Sequence, residues 1–302
     1  MSFRLFDESF LRRLESLAIL YRRAVVSRTR GERRSAQRGQ SVEFSDFRPY
    51  APGDDFRRVD WNAYARLDRL FLKLFVEEQD LTVHILIDAS RSMDWGEPNK
   101  LTYAARLSGA LGYVALASLD RVTVTALGLE GSAARRYLPA LRGKRSALSL
   151  FEFLQSFSEK SNGALAKTPG APSAALGAYA AATRHPGTLL LLSDLMDDGW
   201  QPALNRLAGR GFEVSVLHIL SPEELHPELE GDFRLVDSET EASVELSANF
   251  DTLQRYQQAL ANWQSSWRSF CAVRSMHYLP IDTSQSLEEL FFARLPQQGV
   301  LR

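Results

Sequence analysis

"ILIDASRSMDWG", residues 85–96, opens on Ile85, Leu86 and Ile87, the end of an apolar run that reads as a buried strand, and then releases three polar side chains. Asp88, Ser90 and Ser92 stand at alternate positions just past the strand. A carboxylate and two hydroxyls in one tight turn can converge on a single point. They offer hard oxygen ligands suited to Mg²⁺ at roughly 2.0–2.1 Å, with waters completing an octahedron, and Mn²⁺ or Ca²⁺ are the alternatives. Hydroxyls are neutral, so an ion held this way keeps much of its charge and calls for another carboxylate. "LLLLSDLMDDG", residues 189–199, provides Asp194 after a second apolar run, with Asp197 and Asp198 close behind.

Working outward, residues 7–27 carry apolar side chains at Phe10, Leu11, Leu14, Leu17, Ala18, Tyr21 and Val25, a stripe that predicts an amphipathic helix. The basic, Gly/Ser-containing stretch "SRTRGERRSAQRGQS" reads as a loop. Residues 69–78 and 81–87 read as two strands around a short polar turn, hence as a hairpin. From there strands and helices alternate: helix 99–119, strand from 121, helices at 144–158 and 173–184, strand "TLLLLSD", helix 200–209, strand "FEVSVLHIL", helix 250–273, strand "MHYLPI" and a last helix near 286–294. That alternation predicts an α/β fold, doubly wound around a mostly parallel, Rossmann-like sheet. In such folds ligands sit at the carboxyl ends of the strands, beside the point where strand order reverses, and Asp88 and Asp194 fall at such ends. The expected division is an extension at 1–80 (helix, basic loop and strand segment packed on the sheet) and an α/β domain at 81–302, with an acidic insertion near 222–249 that could form a hairpin.

The 302 residues are 45% hydrophobic and 24% charged, enough for a large core. The formal net charge of −1 hides a strong asymmetry: residues 1–40 hold ten arginines against four acids, and residues 222–251 hold ten acids against Arg234. Cys271 is the only cysteine, which excludes an intramolecular disulfide and a cysteine-based zinc site and favours a reducing compartment. The N-terminal 23 residues are interrupted by arginines and acids, with no signal-peptide core, and no run of about 18 apolar residues occurs, so a cytoplasmic chain without membrane insertion is expected. The basic stretch lacks interleaved aromatics, so nucleic-acid binding is not expected. No nucleotide-binding glycine motif and no nucleophile elbow is present.

"VEFSDFRPYAPGDDFRRVDWNAYAR", residues 42–66, resembles the hallmark of the bacterial domain of unknown function 58 family through Glu43, Phe44, Arg48, Tyr50, Gly53, Asp54, Asp55, Arg57, Asp60, Trp61, Ala65 and Arg66. "DASRS" is similar to the Asp-x-Ser-x-Ser element of von Willebrand factor type A domains, whose metal-ion-dependent adhesion site adds a threonine and a later aspartate. The resemblance covers about residues 40–290. It implies a von Willebrand factor A-like fold, a metal site of Asp88, Ser90, Ser92 and Asp194, and Ser173 standing where the threonine is expected, with Thr168 the next candidate. It also implies a non-enzymatic interaction module that presents its ion to an exposed Asp or Glu of a protein ligand, as adaptor or chaperone to a MoxR-type AAA+ ATPase.

Two other functions fit parts of the sequence. A metal-free structural scaffold needs no ligand at Asp88. A haloacid-dehalogenase-like phosphohydrolase would use Asp88 as nucleophile and Asp194, Asp197 or Asp198 for Mg²⁺, but its general acid two residues on is Ser90 here. In the hallmark segment, arginines and aspartates are expected to form ion pairs that pin an irregular stretch, with partner binding the alternative. Trp61 is expected to be a buried anchor. His84 and His218 lie inside strands and read as core residues.

Overall fold

The computed structural model describes residues 6–20, 42–51, 54, 56, 59–77, 82–128, 137–158, 171–228, 231–237 and 242–302. The basic loop at 28–38, Thr168 and the hallmark residues Gly53, Asp55 and Arg57 lie outside them. Two compact units emerge, one of residues 25–80 and one combining 1–24 with 81–302.

The N-terminal helix is shorter than its periodicity predicts: α1 spans Glu8–Leu14, capped by Asp7, whose carboxylate accepts from Phe10 N. Ser16 Oγ turns back to donate to the Arg13 carbonyl at 2.8 Å, and residues 18–20 pair instead with the chain end: Ala18 N donates to Arg302 O and Leu20 N to Val300 O. Phe6, Phe10, Leu14 and Ile19 are buried in the core of the larger unit. The expected boundary at residue 80 therefore shifts: α1 belongs with 81–302 because its apolar face is spent there.

In the smaller unit, β1 (Val42–Pro49) and β2 (Phe71–Glu77) run antiparallel. Between them α2 (Trp61–Leu67) starts on Asp60, whose Oδ1 accepts from Asn62 N and Ala63 N at 3.0 and 3.2 Å, and stops at Asp68 in a left-handed conformation. The expected hairpin of 69–78 with 81–87 is not formed. β2 is taken by β1, and the following strand, β3 (Thr82–Asp88), has both edges occupied in the large sheet.

That sheet has the order β10-β7-β6-β3-β4-β5, with β4 (Arg121–Leu127), β5 (Tyr137–Arg142), β6 (Thr188–Ser193), β7 (Glu213–Leu220) and β10 (His277–Asp282). All neighbours are parallel except β5, an antiparallel edge strand that the sequence pattern did not disclose. Its Pro139 and its mostly exposed side chains suit an edge. Central strands β3, β6 and β7 are covered on both faces, which is why they read as continuous apolar runs rather than alternating ones. Alternation still assigns the faces: Ile85, Ile87, Leu190 and Leu192 enter one core cluster, whereas Leu86, Leu189 and Leu191 enter the other.

The first cluster is closed by α3 (Lys100–Ala117), α4 (Ala147–Ser158), α1 and the C-terminal helical segment 287–297. Gly112 lets α3 and α4 approach closely, since a Cβ there would lie 2.6 Å from Leu150 Cδ2. The second cluster is closed by α5 (Pro172–Ala182), α6 (Trp200–Gly209) and the second half of α8 (Phe250–Val273), where Trp267, Phe270 and Cys271 are buried. Between β7 and α8 come a single turn, α7 (Pro222–Leu225), and the antiparallel pair β8 (Gly231–Val236) and β9 (Ser243–Ala248), so the acidic excursion does contain a hairpin. Among the described residues no helix is long and apolar enough to cross a membrane.

Candidate functional site

From β3 the chain moves one way to β4 and β5, then returns to β6 on the other side of β3 and continues to β7 and β10. The reversal lies between β3 and β6, and the carboxyl ends of those two strands carry Asp88 and Ser193–Asp194. This is where an open α/β sheet leaves a crevice that no crossover covers.

Asp88 is almost fully buried. Its Oδ1 accepts from Ser90 N at 3.0 Å, and its Oδ2 accepts from Ser193 Oγ at 2.6 Å. The first bond folds the turn so that Ser90 Oγ and Ser92 Oγ come within 3.0 Å of each other. Burial, and after it the charge of Asp194, pushes the Asp88 carboxyl up to about 7, although the bonds from Ser193 and Ser90 oppose the shift. Asp194 is wholly buried, and Leu195 behind it holds a left-handed φ of 60°. A branched residue rarely adopts that conformation. It is held here by Leu195 N donating to Ser193 Oγ (2.9 Å) and Met196 N to Asp194 Oδ1 (3.3 Å).

Two residues absent from the sequence reading complete the rim. Lys100, at the first position of α3, is 1% exposed, and its Nζ lies 2.9 Å from Asp194 Oδ2 and 2.5 Å from Glu224 Oε1. Burial disfavours its ammonium, but the two carboxylates outweigh that and raise its pKa. No local pattern marks these residues, since Lys100 lies 94 positions from Asp194 and 124 from Glu224. His218 stands beside them: Nε2 is 3.1 Å from the Asp194 carbonyl and Nδ1 2.6 Å from Tyr278 OH. Burial lowers its pKa to about 4, so it stays neutral, and the same holds for His84 against Tyr179. Both are the core residues expected.

Ser173 reaches the same end of the sheet. Its N donates to Asp197 Oδ2 at 3.1 Å, while Gly199 N donates to Oδ1 at 2.8 Å. Burial works against the Asp197 carboxylate, but hydrogen bonds from the Ser173 hydroxyl and the two backbone groups hold it below its usual range. A Cβ at Gly128, just past β4, would lie 3.4 Å from Ser90 N and 3.6 Å from Pro172 Cβ, which places the start of α5 against the Asp88 turn. Asp197 thus secures α5, and Asp198 is exposed.

A hard cation fits this donor set in kind: oxygens only, two carboxylates and hydroxyls, with a negative charge that Lys100 alone does not balance. Asp88, Ser90, Ser92 and Asp194 are gathered at one rim with Ser173 beside them. Among the described residues no group of three or more His, Cys, Asp or Glu side chains is assembled to hold a metal.

In the hallmark segment the ion pair Arg48–Asp54 forms at 2.7 Å, and Asp54 also accepts from Ala51 N. Tyr50 lies against Phe56 with ring centroids 5.0 Å apart. Glu43 lies in β1, and Arg66 is exposed in the last turn of α2. Trp61 is not a buried anchor: it is 58% exposed at the start of α2, edge-on to Tyr64, because Asp60 rather than the indole secures the helix.

The site thus lies at the switch point of a mostly parallel α/β sheet and is built around a buried acidic rim. The chain belongs to the family described as "Protein of unknown function DUF58", which matches residues 46–266. Uncharacterised proteins of Mycobacterium bovis and Mycobacterium tuberculosis are 26% identical to it over 212 residues, 69% of this chain and 64% of theirs. The match thus spans a little under two thirds of those relatives. Two solved structures are similar at 19% identity: the conserved hypothetical protein BatB of Bacteroides thetaiotaomicron (TM-score 0.39, 72% of this chain and 98% of that one) and an aerotolerance-related membrane protein of Bacteroides fragilis (TM-score 0.41, 72% and 99%).

Proposed function

We propose that this DUF58 chain is a non-enzymatic protein-interaction module with a von Willebrand factor A-like rim, at which Asp88, Ser90, Ser92 and Asp194, with Ser173, hold Mg²⁺ or a similar divalent ion. The observation that carries this is the pair of buried carboxylates at the β3/β6 switch point, where burial first and the charge of Asp194 second raise the Asp88 carboxyl to about 7. Such a carboxyl at neutral pH needs either a proton or a cation. A bound Mg²⁺ supplies an electrophilic centre that an Asp or Glu of a protein ligand can join. The chain's own part is to fix the oxygens: Ser90 N and Ser193 orient Asp88, the strained Leu195 turn orients Asp194, and Gly128 leaves room between the loops. By resemblance, the partner proposed is a MoxR-type AAA+ ATPase, with this chain as adaptor or chaperone in the cytoplasm.

Titration calorimetry with Mg²⁺ on wild type, Asp88→Ala and Ser92→Ala tests the ion: binding in the micromolar-to-millimolar range to wild type and its loss in both variants is expected. Equal heats from all three proteins would remove the ion from the site. One observation favours a metal-free scaffold instead, namely that Lys100 already supplies Asp194 with a cation. In that case wild type shows no heat.

A further inference from the structure

A lysine at the first position of an 18-residue helix faces the positive end of the helix dipole, an unfavourable place for an ammonium. Lys100 is nevertheless buried there and held between Asp194 and Glu224. Glu224 belongs to α7, the turn that leads into the acidic hairpin. Its Oε2 accepts from Ser221 N at 2.8 Å, and its carbonyl accepts from Tyr256 OH at 2.7 Å. Glu223 Oε1 takes Glu97 N at 3.1 Å. Gly96, at φ +88°, is pressed so closely on this turn that a Cβ there would meet Ser221 Cβ at 2.4 Å. Asp194 is therefore shared: it borders the Asp88 turn on one side and, through Lys100, is tied to α7 on the other.

We propose that Lys100 couples cation occupancy of the Asp88–Asp194 rim to the seating of α7, because the ammonium is the piece that Asp194 and Glu224 hold in common. The coupling rests on the ion-dependent function above. A divalent ion drawing on Asp194 competes with a like charge already on that carboxylate. Lys100 then leans toward Glu224 and tightens the turn at the root of the hairpin. The same competition makes Lys100 the residue that keeps ion affinity low.

The test combines Mg²⁺ calorimetry with hydrogen exchange of peptides covering 221–228, in wild type, Lys100→Met and Glu224→Gln. In wild type, saturating Mg²⁺ slows exchange in α7. Lys100→Met binds Mg²⁺ about tenfold more tightly or better, since a like charge a few ångströms away is gone, and α7 no longer responds. Glu224→Gln keeps one carbonyl oxygen to accept from Ser221 N and removes the charge that draws Lys100, whose ammonium stays paired with Asp194. It folds without an unpaired ammonium, binds Mg²⁺, and shows no α7 response, so the test does not depend on Lys100→Met folding. Mg²⁺ binding to wild type without any change in α7 exchange overturns the coupling alone. So does an unaltered α7 response in Glu224→Gln. No Mg²⁺ binding to wild type overturns the ion-dependent function, and the coupling with it.

Discussion

Replacing Asp88 by Asn should remove much of the pH dependence of stability above pH 5 in the metal-free protein. Burial first, then the charge of Asp194, lift the Asp88 carboxyl from its ordinary 3.8 to about 7. A carboxyl whose pKa is raised in the folded state binds its proton more tightly there than in the unfolded chain. The stability linked to it is complete below about pH 4 and is lost as the pH climbs through about 7. A gap of roughly three units corresponds to at most ~4 kcal/mol, and for a chain of this size to a fall in Tm on the order of 10 °C. His84 and His218, lowered to about 4 by burial, act in the opposite sense: their contribution is full above the ordinary 6.5 and fades as the pH falls toward 4. Comparing wild type with Asp88→Asn cancels the histidines. The Asn oxygen can still accept from Ser90 N, so the turn should survive. Thermal unfolding followed by circular dichroism in EDTA, from pH 5 to 8.5, should show wild type falling relative to the variant by several degrees. At pH 8.5, Mg²⁺ at about 100 times its Kd should return roughly 2.7 kcal/mol to wild type and nothing to the variant. Parallel pH profiles in the two proteins would refute the assignment of an uncompensated charge to Asp88.

In the smaller unit, Asp60→Ala removes the acceptor of two backbone N–H groups and should lower stability by about 1 kcal/mol, with Asp60→Asn nearly neutral in the same denaturant titration. Its neighbour behaves differently: Trp61→Ala should change stability by less than about 0.5 kcal/mol, and a loss above about 2 kcal/mol would mean that the indole is covered in solution. Gly199→Ala places a Cβ 2.1 Å from Ser173 Oγ at an ordinary φ of −77°, so its cost, about 1–3 kcal/mol by unfolding, is steric and should be partly relieved by adding Ser173→Ala.

The central sheet was legible because burial on both faces leaves a signature in one dimension: "ILI" and "LLLL" have no polar face to hide. Helices α3, α6 and α8 were placed close to their observed spans, and the structure shows Asn99 and Asn249 capping two of them, each accepting from the N–H three residues on. Failures came where the deciding partner is distant. The 7–27 stripe continues past Leu14, but the backbone at 18–20 is claimed by residues 300–302, nearly the whole chain away. The 69–78 and 81–87 strands look like a hairpin to any local rule, yet β1 and β4/β6 win the pairing. Asp88, Ser90 and Ser92 could be found because strand and turn chemistry put them together in five residues. Lys100 and Glu224 could not, since only the crossovers bring α3, β6 and α7 to one edge.

The charges at that edge decide how its possible states compete. Asp194 and Glu224 share Lys100 as their counter-ion, Asp88 is a third carboxylate at the same edge, and His218 is held neutral by burial and so contributes no positive charge. One internal cation cannot balance three acids. Glu224 is partly open to solvent, so the unrelieved repulsion concentrates on the two fully buried groups, Asp88 and Asp194. Below about pH 7 a proton on Asp88 relieves it; above, an external cation is favoured for the same reason. On the proposed function, a divalent ion would compete with the proton at Asp88, so ion binding near neutrality would release protons, and more of them in more acidic solution. A scaffold that needed no ligand would gain stability from a neutral Asn or Ser at position 88. Asp194 is paired with Lys100, whereas Asp88 is held by hydrogen bonds from Ser90 and Ser193, and a buried acid so placed costs stability unless a proton or an ion neutralises it.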